Sequence, residues 1–142
     1  MSGASRAVVR VLTVRAGAGR YGIPLESVRE IVRDLRLVPL AGAPDRVLGL
    51  AGFRGEPLTV ISLAALTDAA TDRGPAGPVV VVDLGEEGSL GLAVDGVGNV
   101  RVVTAEPRQE GASAFVGAIA EDGSLEVLDI DRMRSGRRNG EA

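Results

Sequence analysis

The sequence predicts an all-β protein made of closed or nearly closed barrels. About ten short segments rich in aliphatic residues are separated by Gly, Pro and Asp turn signals. Only one segment has a clear helical period, whereas a doubly wound α/β fold needs several long helices. Of the 142 residues, 45% are hydrophobic and only 2% aromatic, so the predicted core is aliphatic.

The early part of the chain combines a hairpin with that helical pattern. Residues 8–15 and 21–23 favour two strands around a turn at Gly17-Ala18-Gly19. In residues 24–33 apolar side chains recur at i, i+3 and i+7, behind a proline that suits a first helical turn. We therefore predict a short amphipathic helix over 24–33, on which Glu30 would face Arg33.

The remaining turn signals divide the chain into short strands. Arg54-Gly55-Glu56 is predicted to be a tight connection, and Asp122-Gly123 a type I′ hairpin turn. Asp129 or Asp131 is predicted to cap a last helical turn. The predicted strands are 49–53, 57–63, 79–82, 90–94, 97–103, 115–121 and 124–130.

The residue types absent from the chain exclude several kinds of metal site and catalytic site. There is no Cys and no His, which excludes disulfides, thiolate or imidazole metal ligands, and Ser-His-Asp or Cys-His nucleophiles. Glu26 and Glu30 would share one face of the predicted helix, and solvated ion pairs with nearby arginines explain them better than acid–base catalysis does. We predict no catalytic residue, no cofactor and no metal.

Charge and hydropathy argue against binding to nucleic acid and against insertion into a membrane. A formal net charge of −3 and so few aromatic rings are unsuited to nucleic-acid binding, and the arginines within 132–138 are interpreted as a solvated tail. There is no signal-peptide core and no apolar run long enough to span a bilayer. We predict a cytoplasmic protein without direct membrane insertion.

Four parts of the sequence together resemble the chemotaxis coupling family of CheW-like domains. Residues 21–31 are similar to the family's opening signature, and 47–63 to its pattern G-x-x-x-x-R-G-x-x-x-P-h-x-D-L. Residues 91–97 resemble its second-half strand and turn, while 115–117 and 125–130 resemble its closing hairpin. The order and spacing of these parts extend the resemblance over nearly the whole chain.

The resemblance implies a fold of two packed SH3-like five-stranded β-barrels with one or two short helices. The first barrel would come mainly from the early middle of the chain and the second from the later half, with the first strand shared. We expect an N-terminal extension over 1–7, the CheW-like domain over 8–134 with a junction between its halves near 67–78, and a disordered tail over 135–142.

The resemblance also implies a function. The protein would be a non-catalytic adaptor in bacterial chemosensory signal transduction, coupling the cytoplasmic tip of a chemoreceptor (a methyl-accepting chemotaxis protein) to the regulatory domain of a CheA-type histidine kinase within receptor arrays. Three alternatives stay open: a small-ligand-binding regulatory β-barrel, a divergent CheW-like protein of a non-motility pathway, and an enzyme using clustered carboxylates.

The resemblance carries over to individual residues. Some match family positions implicated in coupling, and others are their neighbours. Gly52 and Phe53 stand where the family often has Asn and Leu, and Ser62 where it usually has Asp, which bears on partner identity more than on fold. The predicted protein-binding residues are Val28, Glu30 and Arg54, with Ile31, Leu48 and Phe53 beside them.

Overall fold

The structure, a computed structural model, describes residues 6–67, 77–107 and 115–133. Within these ranges ten strands form two five-stranded sheets, accompanied by 3₁₀ turns at Leu25–Ser27 and Gly85–Glu87 and a four-residue helix, α1 (Leu63–Leu66). The strands are β1 (Ala7–Ala16), β2 (Gly19–Pro24), β3 (Val28–Val32), β4 (Val47–Phe53), β5 (Glu56–Ser62), β6 (Val79–Asp83), β7 (Ser89–Ala93), β8 (Gly96–Pro107), β9 (Val116–Ala120) and β10 (Glu126–Leu128).

The first sheet closes into a barrel in the order β1-β2-β10-β9-β8. β1 pairs antiparallel with β2 across the predicted hairpin turn, and with β8 along its other edge. β10 pairs antiparallel with β9 and parallel with β2, where Glu126 lies opposite Tyr21. This parallel pairing closes the sheet, because it joins the two strands that would otherwise be edges.

The second sheet runs in the order β3-β6-β7-β5-β4, so β3 and β4 are its edge strands. β4 and β5 form a hairpin, and β7 lies parallel to β5 and antiparallel to β6. The chain after β3 covers part of the β4 edge, because Val38 and Leu50 exchange backbone hydrogen bonds of 2.8 and 2.9 Å. Pairing of this kind shields an edge from other strands.

In the described ranges, three aliphatic clusters form the core: one inside the barrel, one inside the second sheet, and a larger one shared by both sheets. Strand β6 shows how they arise. Val80 and Val82 belong to the shared cluster, while Val79 and Val81 belong to the interior of the second sheet, because side chains alternate across a strand. The continuous apolar run is therefore buried on both faces, as predicted for such strands.

The predicted helix over 24–33 is wrong. Leu25–Ser27 form a 3₁₀ turn, and the rest of the apolar stretch is strand β3. Its pairing with β6 shifts register between Val28 and Glu30, and such an irregularity breaks the strict alternation by which a strand is read from sequence. Glu30 consequently does not face Arg33 but pairs with Arg54.

The chain is divided between the sheets differently from the prediction. Two five-stranded units are present, but β1 is not shared: it lies with β2 in the barrel that β8, β9 and β10 complete. The predicted junction at 67–78 is flanked by β5 and β6, which belong to one sheet. Residues 68–76, 1–5 of the predicted extension, and the predicted tail at 135–142 lie outside the described residues.

The last hairpin confirms one local prediction and corrects another. β9 and β10 pair as predicted, but the turn is not type I′, since Gly123 has a φ of 76° and Asp122 does not have a positive φ. Asp122 Oδ1 instead accepts the Ser124 N–H at 2.9 Å.

The helical turn after β10 is capped by Asp129, one of the two residues predicted for this role. Asp129 Oδ1 accepts the Arg132 N–H at 3.3 Å.

Leu92 provides a test of the shared core, in which its side chain is fully buried. Leu92→Ala should lower the free energy of unfolding by about 2–5 kcal/mol, because it removes buried methyl groups and leaves a cavity. Urea unfolding followed by circular dichroism measures this. Leu40→Ala is the matched control: Leu40 is 42% exposed, so we expect a loss below about 1 kcal/mol. Equal losses would contradict the assignment of the core.

Candidate partner-binding surface

The two edge strands of the second sheet meet through side chains. Glu30 lies on β3, and Arg54 lies at the tip of the β4–β5 hairpin. Arg54 Nε and Nη2 both donate to Glu30 Oε1, at 3.2 and 2.5 Å. We call this surface, made of Glu30, Phe53 and Arg54, the seam.

Backbone geometry fixes the position of Arg54. Arg54 and Gly55 form the two-residue loop of the hairpin, with φ values of 52° and 82°. Positive φ at both central residues defines a type I′ turn, whose twist matches that of the flanking strands. A positive φ is uncommon for a residue with a β-carbon. The charge of Arg54 is therefore carried by a tight turn that arginine does not favour.

The guanidinium group of Arg54 has a second contact. Its Cζ lies 5.4 Å from the centroid of the Phe53 ring, within the range of a cation–π interaction. The side chains of Arg54 and Glu30 remain 67% and 37% exposed. An exposed pair of this kind adds about 0–1 kcal/mol to stability, so it orients the two charges more than it holds the sheet together.

Apolar side chains are also exposed near the edges of the second sheet. Ile31 is 37% exposed and Val38 is 61% exposed. Gly49 lets the chain around Val38 lie close to β4: a β-carbon at Gly49 would be 2.5 Å from the Val38 carbonyl oxygen, and its φ is 151°. The edges of the second sheet thus carry both an oriented ion pair and exposed aliphatic groups, residue types suited to a protein contact.

The structure brings three of the six predicted site residues together. Glu30, Phe53 and Arg54 form the seam, whereas Ile31 lies on the opposite face of β3 from Glu30 and Val28 is half-buried against the shared core. Leu48 and Phe53 are half-buried against the interior cluster of the second sheet. All six residues remain a predicted site.

The departures from the family pattern have local explanations. Ser62 Oγ accepts the Ala65 N–H at 3.2 Å and so caps α1. Serine and aspartate are about equally good at that position, so replacing the usual Asp preserves the interaction. Phe53 contributes the ring beneath Arg54. Gly52 lies on β4, where a β-carbon would meet no atom within 4 Å.

A groove between the two sheets was not found from the sequence. It has a volume of about 400 Å³ and combines apolar with polar side chains. Its residues come from separate elements, and no spacing in the sequence connects them. The lining residues are Arg46, Val47, Pro57, Thr59, Ile61, Leu66, Glu87, Ser89, Leu90, Phe115 and Met133.

The enzyme alternative requires carboxylates that lie close together. Across 6–67, 77–107 and 115–133, no three Asp or Glu side chains come together in a way that would hold a metal ion. No helix in this part of the chain is long and apolar enough to cross a membrane.

Comparisons with known proteins agree with the fold. A family model described as the CheW-like domain matches residues 10–136. Protein FrzA of Myxococcus xanthus is 30% identical over 125 residues, covering 82% of this chain and 77% of that protein. Chemotaxis protein CheW of Treponema pallidum (strain Nichols) is 29% identical over 142 residues, covering 90% and 83%. The crystal structure of scaffolding protein TtCheW from Thermoanaerobacter tengcongensis superposes with a TM-score of 0.76 at 20% identity, covering 87% of this chain and 90% of that one.

Arg54→Asn should remove the ion pair without harming the fold. Asn-Gly is a preferred sequence for a type I′ turn, and the lost pair is exposed. We expect the free energy of unfolding, measured in urea, to change by less than about 1 kcal/mol. Arg54→Ala keeps a β-carbon at positive φ without the tolerance of Asn, so it is expected to be the less stable variant. A larger loss for Arg54→Asn than for Arg54→Ala would contradict this view of the turn.

Proposed function

The chain belongs to the CheW-like domain family, and we propose that it is a non-catalytic adaptor that couples chemoreceptor tips to a CheA-type histidine kinase. Two relatives carry the names chemotaxis protein CheW and scaffolding protein TtCheW. Membership of this family supports a chemoreceptor tip and a CheA-type kinase as the partners of this chain. We further propose that it acts in the cytoplasm, beside receptor arrays.

The oriented Arg54–Glu30 pair is the observation that carries the proposal. It lies on the surface with both side chains partly exposed, and it adds little to stability. Arg54 adopts an unfavourable positive φ, and its ion pair adds little to the stability of the fold. A residue that combines these two properties is a candidate for a functional role. The neighbouring Phe53 adds apolar area, and arginine and aromatic residues are enriched at protein contacts.

The shared core explains how such an adaptor would act. Both sheets contribute to one buried cluster, so partners held on either sheet are held in a fixed geometry. A receptor change then biases the kinase through a coupling free energy, typically about 1–3 kcal/mol. No bond is made or broken in this role, which fits a chain without His or Cys.

Arg54→Asn is expected to weaken coupling. Losing a charged contact at a protein interface costs about 2 kcal/mol or more when its partner is left unpaired. The affinity of the adaptor for its partner should then fall at least roughly 30-fold, and receptor-stimulated kinase activity at limiting adaptor should fall with it. The assay reconstitutes the cognate receptor signalling fragment, the kinase and the full adaptor chain. Glu30→Gln should show a loss of the same direction.

Arg6→Asn is the matched control. Arg6 is 64% exposed and pairs with Glu121 at 2.9 Å, so it resembles the Arg54 pair in exposure but lies on the barrel. We expect near-normal kinase stimulation for Arg6→Asn and Glu121→Gln. Near-normal activity of Arg54→Asn, or equal losses in both pairs, would overturn the assignment of the seam. Failure of the unmodified chain to bind receptor or kinase would overturn the adaptor role itself.

A further inference from the structure

One mouth of the closed barrel is lined by three arginines. Arg15 on β1, Arg20 on β2 and Arg101 on β8 line a cavity of about 300 Å³. Val11 on β1 and Val103 on β8 belong to the cluster inside the barrel. Because side chains alternate along a strand, Arg15 lies on the same face of β1 as Val11, and Arg101 on the same face of β8 as Val103. A chain with a formal net charge of −3 thus concentrates positive charge at one opening.

Two of these arginines are direct cross-strand neighbours. Arg15 lies opposite Arg20 in the antiparallel β1–β2 ladder, and like charges in that position destabilise a sheet. In the described part of the chain, neither guanidinium has a carboxylate oxygen within 4.0 Å. No ion pair within that distance in this part of the chain offsets the repulsion, so an anion bound between the two side chains would relieve it.

The third arginine is held in place. Arg101 Nη1 donates to Ser124 Oγ at 3.1 Å, and Nη2 donates to Asp122 Oδ2 at 3.3 Å. Hydrogen bonds from Ser124, together with the Arg101 charge, lower the pKa of Asp122, so this residue stays a carboxylate at neutral pH. Asp122 therefore offsets one of the three positive charges, and the mouth keeps an excess.

The other lining residues make space for the Arg15 guanidinium group and provide no aromatic surface for a base. A β-carbon on Gly96 would lie 3.0 Å from Arg15 Nη1, so glycine there makes space for the guanidinium group. Val97 and Leu125 add apolar contacts, and no aromatic residue is among the lining residues described. The cavity therefore offers no surface on which a nucleobase would stack.

We propose that this barrel mouth binds a phosphate monoester dianion, with Arg15 and Arg20 as its main ligands and Arg101 as a third. The guanidinium fork matches phosphate geometry and makes paired, charge-assisted hydrogen bonds. The mouths of β-barrels are common sites for small molecules, and about 300 Å³ suits a small one. The role lies beyond coupling, because the seam residues are on the other sheet.

Thermal unfolding of the full chain tests the proposal. Inorganic phosphate and glycerol phosphate, at pH 7.5 and low ionic strength, should raise Tm, whereas acetate and chloride at equal ionic strength should not. At ten times Kd the folding equilibrium shifts about 11-fold, a rise of about 5 °C for a domain of this size. Equal shifts with acetate or chloride, or no shift with either phosphate, would overturn the proposal.

Variants locate the binding site. Arg15→Gln and Arg20→Gln should each weaken phosphate binding, measured by titration calorimetry, at least about tenfold, since each removes a charge-assisted contact. Arg10→Gln is the control, because Arg10 is an exposed residue of β1 that does not line the cavity. An equal loss in Arg10→Gln would mean that phosphate is attracted to the surface generally, which is incompatible with a site at the mouth.

Arg20→Thr separates binding from folding. Without phosphate, this variant should melt at the same temperature as the wild-type chain or higher, because the like-charge pair is removed and threonine favours strands. With saturating phosphate the order should reverse. A lower Tm for Arg20→Thr without phosphate would contradict the repulsion on which the inference rests.

Discussion

The structure depends on burying both faces of its central strands with aliphatic side chains. The shared cluster takes residues from the barrel, such as Leu12 and Val14, and from the second sheet, such as Val80 and Leu92. Because aromatic residues make up only 2% of the chain, many small side chains must interlock to reach the packing density of a protein interior. The two sheets consequently share one core, and each depends on the other for part of its burial.

This constraint also explains where the candidate surfaces lie. Positions that face the shared core are unavailable to partners, as the half-buried Val28 shows. Two surfaces lie outside the shared core. One is the seam, where β3 approaches the β4–β5 hairpin, and the other is the open end of the barrel. At both places the chain carries arginines in positions unfavourable for the fold: Arg54 on a turn with positive φ, and Arg15 opposite Arg20. These positive charges are therefore candidates for binding a partner or a ligand.

Much of the fold was predictable, because strand and turn signals are local. The run at 79–82 and the connection at Arg54-Gly55 were correct for physical reasons, namely burial on both faces and tight turn chemistry. The stretch at 24–33 was not, since the register shift after Val28 gives a strand an apparently helical spacing. That error hid the pairing of Glu30 with Arg54. Topology decides which residues meet, and neither the groove nor the arginine-lined mouth has a spacing that reveals it.

Closure of the barrel has a consequence for synthesis of the protein. Its parallel ladder joins Tyr21 to Glu126, residues separated by roughly a hundred positions, and contacts that distant form slowly. On a ribosome, β1 and β2 emerge first and must wait for β10, while the five strands of the second sheet emerge together between them. The nascent chain therefore holds a β1–β2 hairpin whose β2 edge stays open until translation is nearly over, and an early stop before residue 126 would leave that edge open to other molecules.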